Sequence, residues 1–190
     1  MLIKLYIVLV IILTSSSCYP TAISHNRSEP NPLIQKIDTR FILGAWTLPH
    51  EEDRNPFRET LKGFIISDES ELEDFLAGLR LFRLRGTVEN LAKTDFQRTL
   101  IVATYYMWRP LKGTPLSIES LSLKDNDVEV NIKLDDDVIG TEQPFLMAPL
   151  EIVAIESNNI AKNVPIKFTF KLNGNIVTTI DHVQKEIGIP

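Results

Sequence analysis

The residues that most constrain the fold lie near the end of the chain. Ile166, Phe168, Phe170 and Leu172 alternate with Lys167, Thr169 and Lys171. Side chains of a β-strand point to opposite faces with period two, so this run predicts a strand with one buried face. Asn173-Gly174 follows, the pair suited to the two positive-φ positions of a type I′ turn, and residues 176–180 return as the second strand of a hairpin. Val128, Val130, Ile132 and Leu134 alternate in the same way with Glu129, Asn131 and Lys133, after turn chemistry at residues 124–127.

The rest of the body reads as more strands and one helix. Residues 100–103 are apolar at every position, which suits a central strand covered on both faces and continuing to Met107. Leu116 and Ile118 alternate in one phase and Leu121 and Leu123 in the other, which predicts a bulge near Glu119-Ser120. Residues 61–66 and 150–155 read as strands, and 41–48 as a first strand interrupted at Gly44. Leu72, Phe75, Leu76 and Leu79 fall at i, i+3, i+4 and i+7, one apolar helical stripe. Ser67 or Asp68 caps that helix, acidic residues 68–71 face its positive end, and Arg80, Arg83 and Arg85 load the far end before Gly86. The expected fold class is α+β: a mainly antiparallel sheet or sandwich-like domain with one packed amphipathic helix.

The front of the chain is different in kind. Lys4, an unbroken apolar run over 5–13 and small polar residues at 14–17 give the order of a secretory leader, and the run is too short to span a bilayer. Cys18, the sole cysteine, comes next. Ser15-Ser16-Ser17-Cys18 resembles a bacterial lipobox, in which the cysteine sulfur is acylated and becomes the new N-terminus; Ser15 stands where such a box prefers a large aliphatic residue. A plain secreted protein is the alternative. Residues 19–32 hold Pro20, Pro30 and Pro32 without periodicity and read as a tether. Asn26-Arg27-Ser28 is a glycosylation sequon, of use only on a eukaryotic secretory route. The resulting division is a leader at 1–17, an anchor site and linker at 18–36, and one globular domain at 37–190. With 190 residues, 44% hydrophobic and 24% charged, the chain has the composition of a single globular domain, neither disordered throughout nor a multi-span membrane protein.

Charge and chemistry narrow the function classes. A net charge of −5 with no basic cluster gives no electrostatic footprint for nucleic acid and no polybasic patch for anionic lipid. His25, His50 and His182 lack a second ligand at metal spacing, and no nucleophile elbow or phosphate-binding glycine loop occurs. The expectation is therefore no catalytic, cofactor or metal residue. Asp135-Asp136-Asp137 reads as a solvated strand end rather than a calcium site, and 125–127 lacks the glycine an EF-hand loop requires. Tyr105, Tyr106, Met107 and Trp108 form an aromatic run, read either as packing or as an exposed contact surface centred on Tyr105, Tyr106 and Trp108.

Asp95-Phe96, the strands at 100–106, 116–123 and 128–134, and Ala148-Pro149-Leu150-Glu151-Ile152-Val153-Ala154-Ile155 together resemble the PrcB-type C-terminal domain over residues 95–156. That domain occurs in bacterial envelope proteins, including an accessory lipoprotein of a surface protease complex. The family's Gly-Gly-Tyr segment is replaced here by Lys112-Gly113-Thr114-Pro115-Leu116. The resemblance implies a non-enzymatic envelope module that binds or stabilises another protein.

The expected function is then an envelope protein, lipid-anchored through Cys18, that works by protein contact, with an envelope protease complex as one candidate partner. The alternative is a secreted or anchored enzyme or glycan binder built around Trp46, His50 or the 135–137 cluster.

Overall fold

The computed structural model describes residues 33–54, 58–81, 85–107, 110–135, 137–144 and 146–184. In chain order the elements begin with β1 (Gln35–Ile37), β2 (Thr39–Leu48), a 3-10 turn (Glu51–Asp53), β3 (Thr60–Ile66), α1 (Glu69–Ala77), β4 (Arg80–Leu81) and α2 (Arg85–Leu91). They continue with β5 (Thr99–Met107), β6 (Leu116–Lys124), β7 (Asp127–Leu134), β8 (Ala148–Glu156), a second 3-10 turn (Ser157–Asn159), β9 (Pro165–Leu172) and β10 (Asn175–Val183).

The protein is mostly β. One sheet runs β1-β6-β7-β9-β10 and the other β3-β5-β8-β2-β4. Pairing is antiparallel throughout except between β7 and β9. That exception follows from the path of the chain: β8, between them in sequence, lies in the other sheet, so β9 re-enters the first sheet in the direction of β7. At the front, β1 belongs to the first sheet and β2 to the second, with Asp38 as the corner.

Apolar side chains from both sheets meet in a common core that includes Ile37, Leu61, Val102, Leu121, Val153 and Phe168. The other face of the second sheet is covered by the helical segments: Leu72, Phe75, Leu79 and Leu91 pack against Ile101, Tyr105, Met107 and Ile152. Three layers result, and β5 and β8 are the strands caught between two cores. This accounts for the apolar residues at every position of 100–103, all 0% exposed. Fully burying a large aliphatic or aromatic side chain contributes about 1.5–3 kcal/mol, so these two cores carry the stability of a fold whose only cysteine is Cys18.

Local sequence signals explain most of the elements. Asp68 caps α1 by accepting from the Glu71 N–H at 2.8 Å, while the Glu71 carboxylate accepts from the N–H and hydroxyl of Ser67 at 2.6 and 2.9 Å. The register slip between Ile118 and Ser120 is the expected bulge. Asn173 and Gly174 take φ values of +48° and +84°, as a type I′ turn requires.

Four expectations need correction. The mainly antiparallel sheet is as expected, but the domain is mostly β rather than clearly α+β. β2 is continuous through Gly44, with its irregularity between Phe41 and Leu43 instead. Gln35 and Lys36, assigned to the linker, pair with Leu123 and Ser122. The helix stops at Ala77, and Arg80 pairs with Leu48 at the edge of the second sheet, because strand pairing with β2 outweighs helix propensity there. The side chains of Arg83 and Arg85 lie outside the described residues.

Candidate functional site

A buried polar cluster lies where the loop after β2 meets the end of α1. The 3-10 turn is closed by the Asp53 N–H donating to the His50 carbonyl at 3.0 Å, and Arg54 Nε donates to the Pro49 carbonyl at 2.7 Å. This fold of the loop aims Asp53 inward, where it is 7% exposed. Lys62 on β3 and Tyr105 on β5 are direct cross-strand partners, so their side chains stand together on the helix-facing side of the sheet. They hold the two carboxylate oxygens between them: the Tyr105 hydroxyl donates to Oδ2, and Lys62 Nζ lies 3.1 Å from Oδ1.

His50 completes the arrangement. Its Nε2 lies 3.1 Å from the Phe75 carbonyl, one of the carbonyls that the end of α1 leaves without a helical partner. The ring is edge-on to Phe64, with centroids 5.4 Å apart, and rests on Gly78, where an added Cβ would stand 2.5 Å from Nε2. Burial raises the Tyr105 pKa well above the usual phenol value, and the hydrogen bond and negative charge of Asp53 add to that. Tyr105 is therefore a fixed donor, not a base at neutral pH. The cluster ties the 49–54 loop, the β3–β5 pair and the end of α1 together.

No family model, curated protein or solved structure matches this chain.

The aromatic run is not an open surface. Tyr105 and Tyr106 are 0% and 4% exposed, because one faces the helices and the other the opposite sheet; this overturns them as contact residues. Trp108 lies outside the described residues, as do Cys18, His25, Asn26 and Asp136. Trp46 packs against the core between the sheets and donates its indole N–H to the Gly113 carbonyl at 2.8 Å, whereas His50 packs on the helix side. The structure does not bring those two together. Asp135 lies 3.7 Å from Lys133 and accepts from the Asp137 N–H at 3.0 Å, and Asp137 is exposed. His182 is buried, and desolvation lowers its pKa against the opposing pull of Glu71 and Asp68. Among the described residues no three His, Cys, Asp or Glu side chains gather as metal ligands, and no helix is long and apolar enough to cross a membrane.

Sequence reasoning missed Asp53, Lys62 and Glu151. Asp53 was one acid among several in a polar loop, with no periodicity to mark it as buried. Glu151 did carry a signal, as the one charged residue in the apolar run 148–155. It is 7% exposed, and its carboxyl is hydrogen-bonded to the backbone of Ile118 at the bulge of β6.

Burial raises the Glu151 pKa, more than the bond to Ile118 lowers it. A carboxyl with a raised folded-state pKa gives stability that is complete below its unfolded pKa and lost as pH rises through the folded value. Glu151→Gln is therefore expected to raise the urea midpoint at pH 7.5 and to leave it nearly unchanged at pH 4. An equal shift at both pH values would show that the carboxylate charge is not the cost.

Proposed function

We propose that this chain is a lipid-anchored protein of a bacterial cell envelope whose β domain binds another protein and performs no chemistry of its own. The observation that carries the non-catalytic half is the closure of Asp53: each of its oxygens is held by a donor of the same chain. The order of Lys4, the apolar run 5–13, the small residues and Cys18 supports the address. The resemblance of residues 95–156 to the PrcB-type domain supports the same compartment and makes an envelope protease complex the first partner to test. On this reading the two packed sheets are a β-sandwich, to which the resembling stretch contributes two strands on each side.

With Tyr105 and Tyr106 inside, the contact surface moves to a sheet edge. β1 and β4 are edges of only 3 and 2 residues, while β10 has 9. Ile176, Val177 and Val183 on β10 are 66%, 45% and 44% exposed. A long edge strand with apolar side chains is a ready template for another chain.

Two measurements test the reading. Wild-type protein is expected to take up radiolabelled palmitate and Cys18→Ala to lose it; no label on wild type, or label surviving the substitution, overturns the anchor. Affinity capture from detergent-extracted envelopes is expected to return the same protein repeatedly with wild type, and to lose it with Ile176→Lys/Val183→Lys. Repeated capture of nothing overturns the protein-contact role.

A further inference from the structure

We infer that the end of the domain where the chain enters the fold is a membrane-facing surface whose ligand is the phosphate of phospholipid headgroups. The inference rests on the acyl-anchor reading of Cys18 and extends it from a point of attachment to a defined orientation.

The corner at Asp38 opens into a cleft of about 350 Å³. Lys36 from β1, Arg40 from β2 and Arg98 from the turn before β5 line it, against two carboxylates, Asp38 and Glu156. The sequence scatters these cations, and the chain as a whole carries −5, yet this lining is net positive. Arg98 also lies 3.9 Å from Asp95, but that pair is exposed on both sides and holds the guanidinium only weakly.

Apolar side chains flank the cations. Leu33 and Ile34, just before β1 and Lys36, are 92% and 68% exposed. Apolar groups entering the headgroup boundary beside Lys and Arg that reach for phosphate is the composition of an interfacial surface. Chain length supplies the second argument. Fourteen residues separate Cys18 from Leu33. Fully extended they reach about 50 Å at most. An acyl chain tethered this closely keeps headgroups at high effective concentration around this end, so contacts too weak to hold a free domain suffice for an anchored one.

The test uses the full acylated protein, extracted from membranes and reconstituted into phosphatidylethanolamine–phosphatidylglycerol vesicles. With Cys18 acylated, a cysteine introduced as Ile34→Cys or Asn175→Cys takes a single nitroxide. Asn175 serves as reference because it sits at the other end of the first sheet. The Ile34 label is expected to favour relaxation by oxygen over a water-soluble nickel chelate by about threefold more than the Asn175 label. Adding Lys36→Glu, Arg40→Glu and Arg98→Glu is expected to bring the two sites level, with the circular dichroism spectrum unchanged. Level ratios in otherwise wild-type, palmitate-labelled protein would overturn the membrane-facing surface and leave the anchor standing. Protein carrying no palmitate would overturn both.

Discussion

Gly63→Val is expected to lower the unfolding free energy by about 3 kcal/mol, read as a fall in the urea midpoint. Gly63 lies on β3 opposite Thr104, and its α-carbon faces the first sheet. A Cβ there would stand 2.5 Å from Phe170 Cε1 and 2.6 Å from Cε2. Phe170, on β9 between β7 and β10, is 0% exposed, so its ring has nowhere to retreat. The strain must instead push β3, an edge strand, away from the layer it packs on. Strand propensity alone predicts the opposite sign, since valine suits a strand better than glycine. The direction of the effect thus separates a packing role from a propensity effect. Gly63→Ala combined with Phe170→Leu is expected to cost less than the sum of the two single substitutions, because the smaller side chain vacates the space the methyl needs. Simple additivity would show that the ring is not seated on the glycine.

That contact also shows where legibility in the sequence ends. The alternation at 128–134 and 166–172, the turn at Asn173-Gly174 and the phase slip at 118–120 are properties of neighbouring residues, and each was readable. So was the double burial of 100–103, because a strand between two cores has no polar face to show. Which strands share a sheet is set by contacts far apart in sequence, and nothing local announces that β1 and β2 part at Asp38. The early end of α1 is a case of the same kind: Arg80 carries a helical signal, but two residues of ladder with β2 and the His50 ring against Gly78 decide the local structure. The candidate site was the least legible part. His50 and Tyr105 were visible as residue types, but the meeting of Tyr105 and Lys62 on Asp53 depends on their cross-strand pairing and on the turn of a loop, closed on the His50 carbonyl, that reads as plain polar chain.

Asp53→Ala is the second large effect, expected to cost about 3 kcal/mol, against about 1–2 kcal/mol for Tyr105→Phe. The difference comes from what each change leaves behind. Without Asp53, the Tyr105 hydroxyl is a buried donor deprived of its carboxylate; without the hydroxyl, Asp53 keeps Lys62. Lys62 itself adds little to the penalty, since its side chain is 44% exposed and can turn to water. The pH dependence identifies the phenol. The folded pKa of Tyr105 is raised above its unfolded value of about 10, so its contribution is complete below that pH. As pH rises further the unfolded chain releases the proton and the folded chain does not, and stability falls by up to about 1.4 kcal/mol per pH unit. The wild-type urea midpoint is therefore expected to drop more steeply than that of Tyr105→Phe above about pH 10; parallel curves would show that the phenol is not held in the protonated state. The same variants bear on function. If the cluster only fastens the 49–54 loop, Tyr105→Phe protein captures its envelope partner as wild type does at temperatures where both are folded. Loss of capture under those conditions would make the 49–54 loop, and not the β10 edge, the surface that the partner reads.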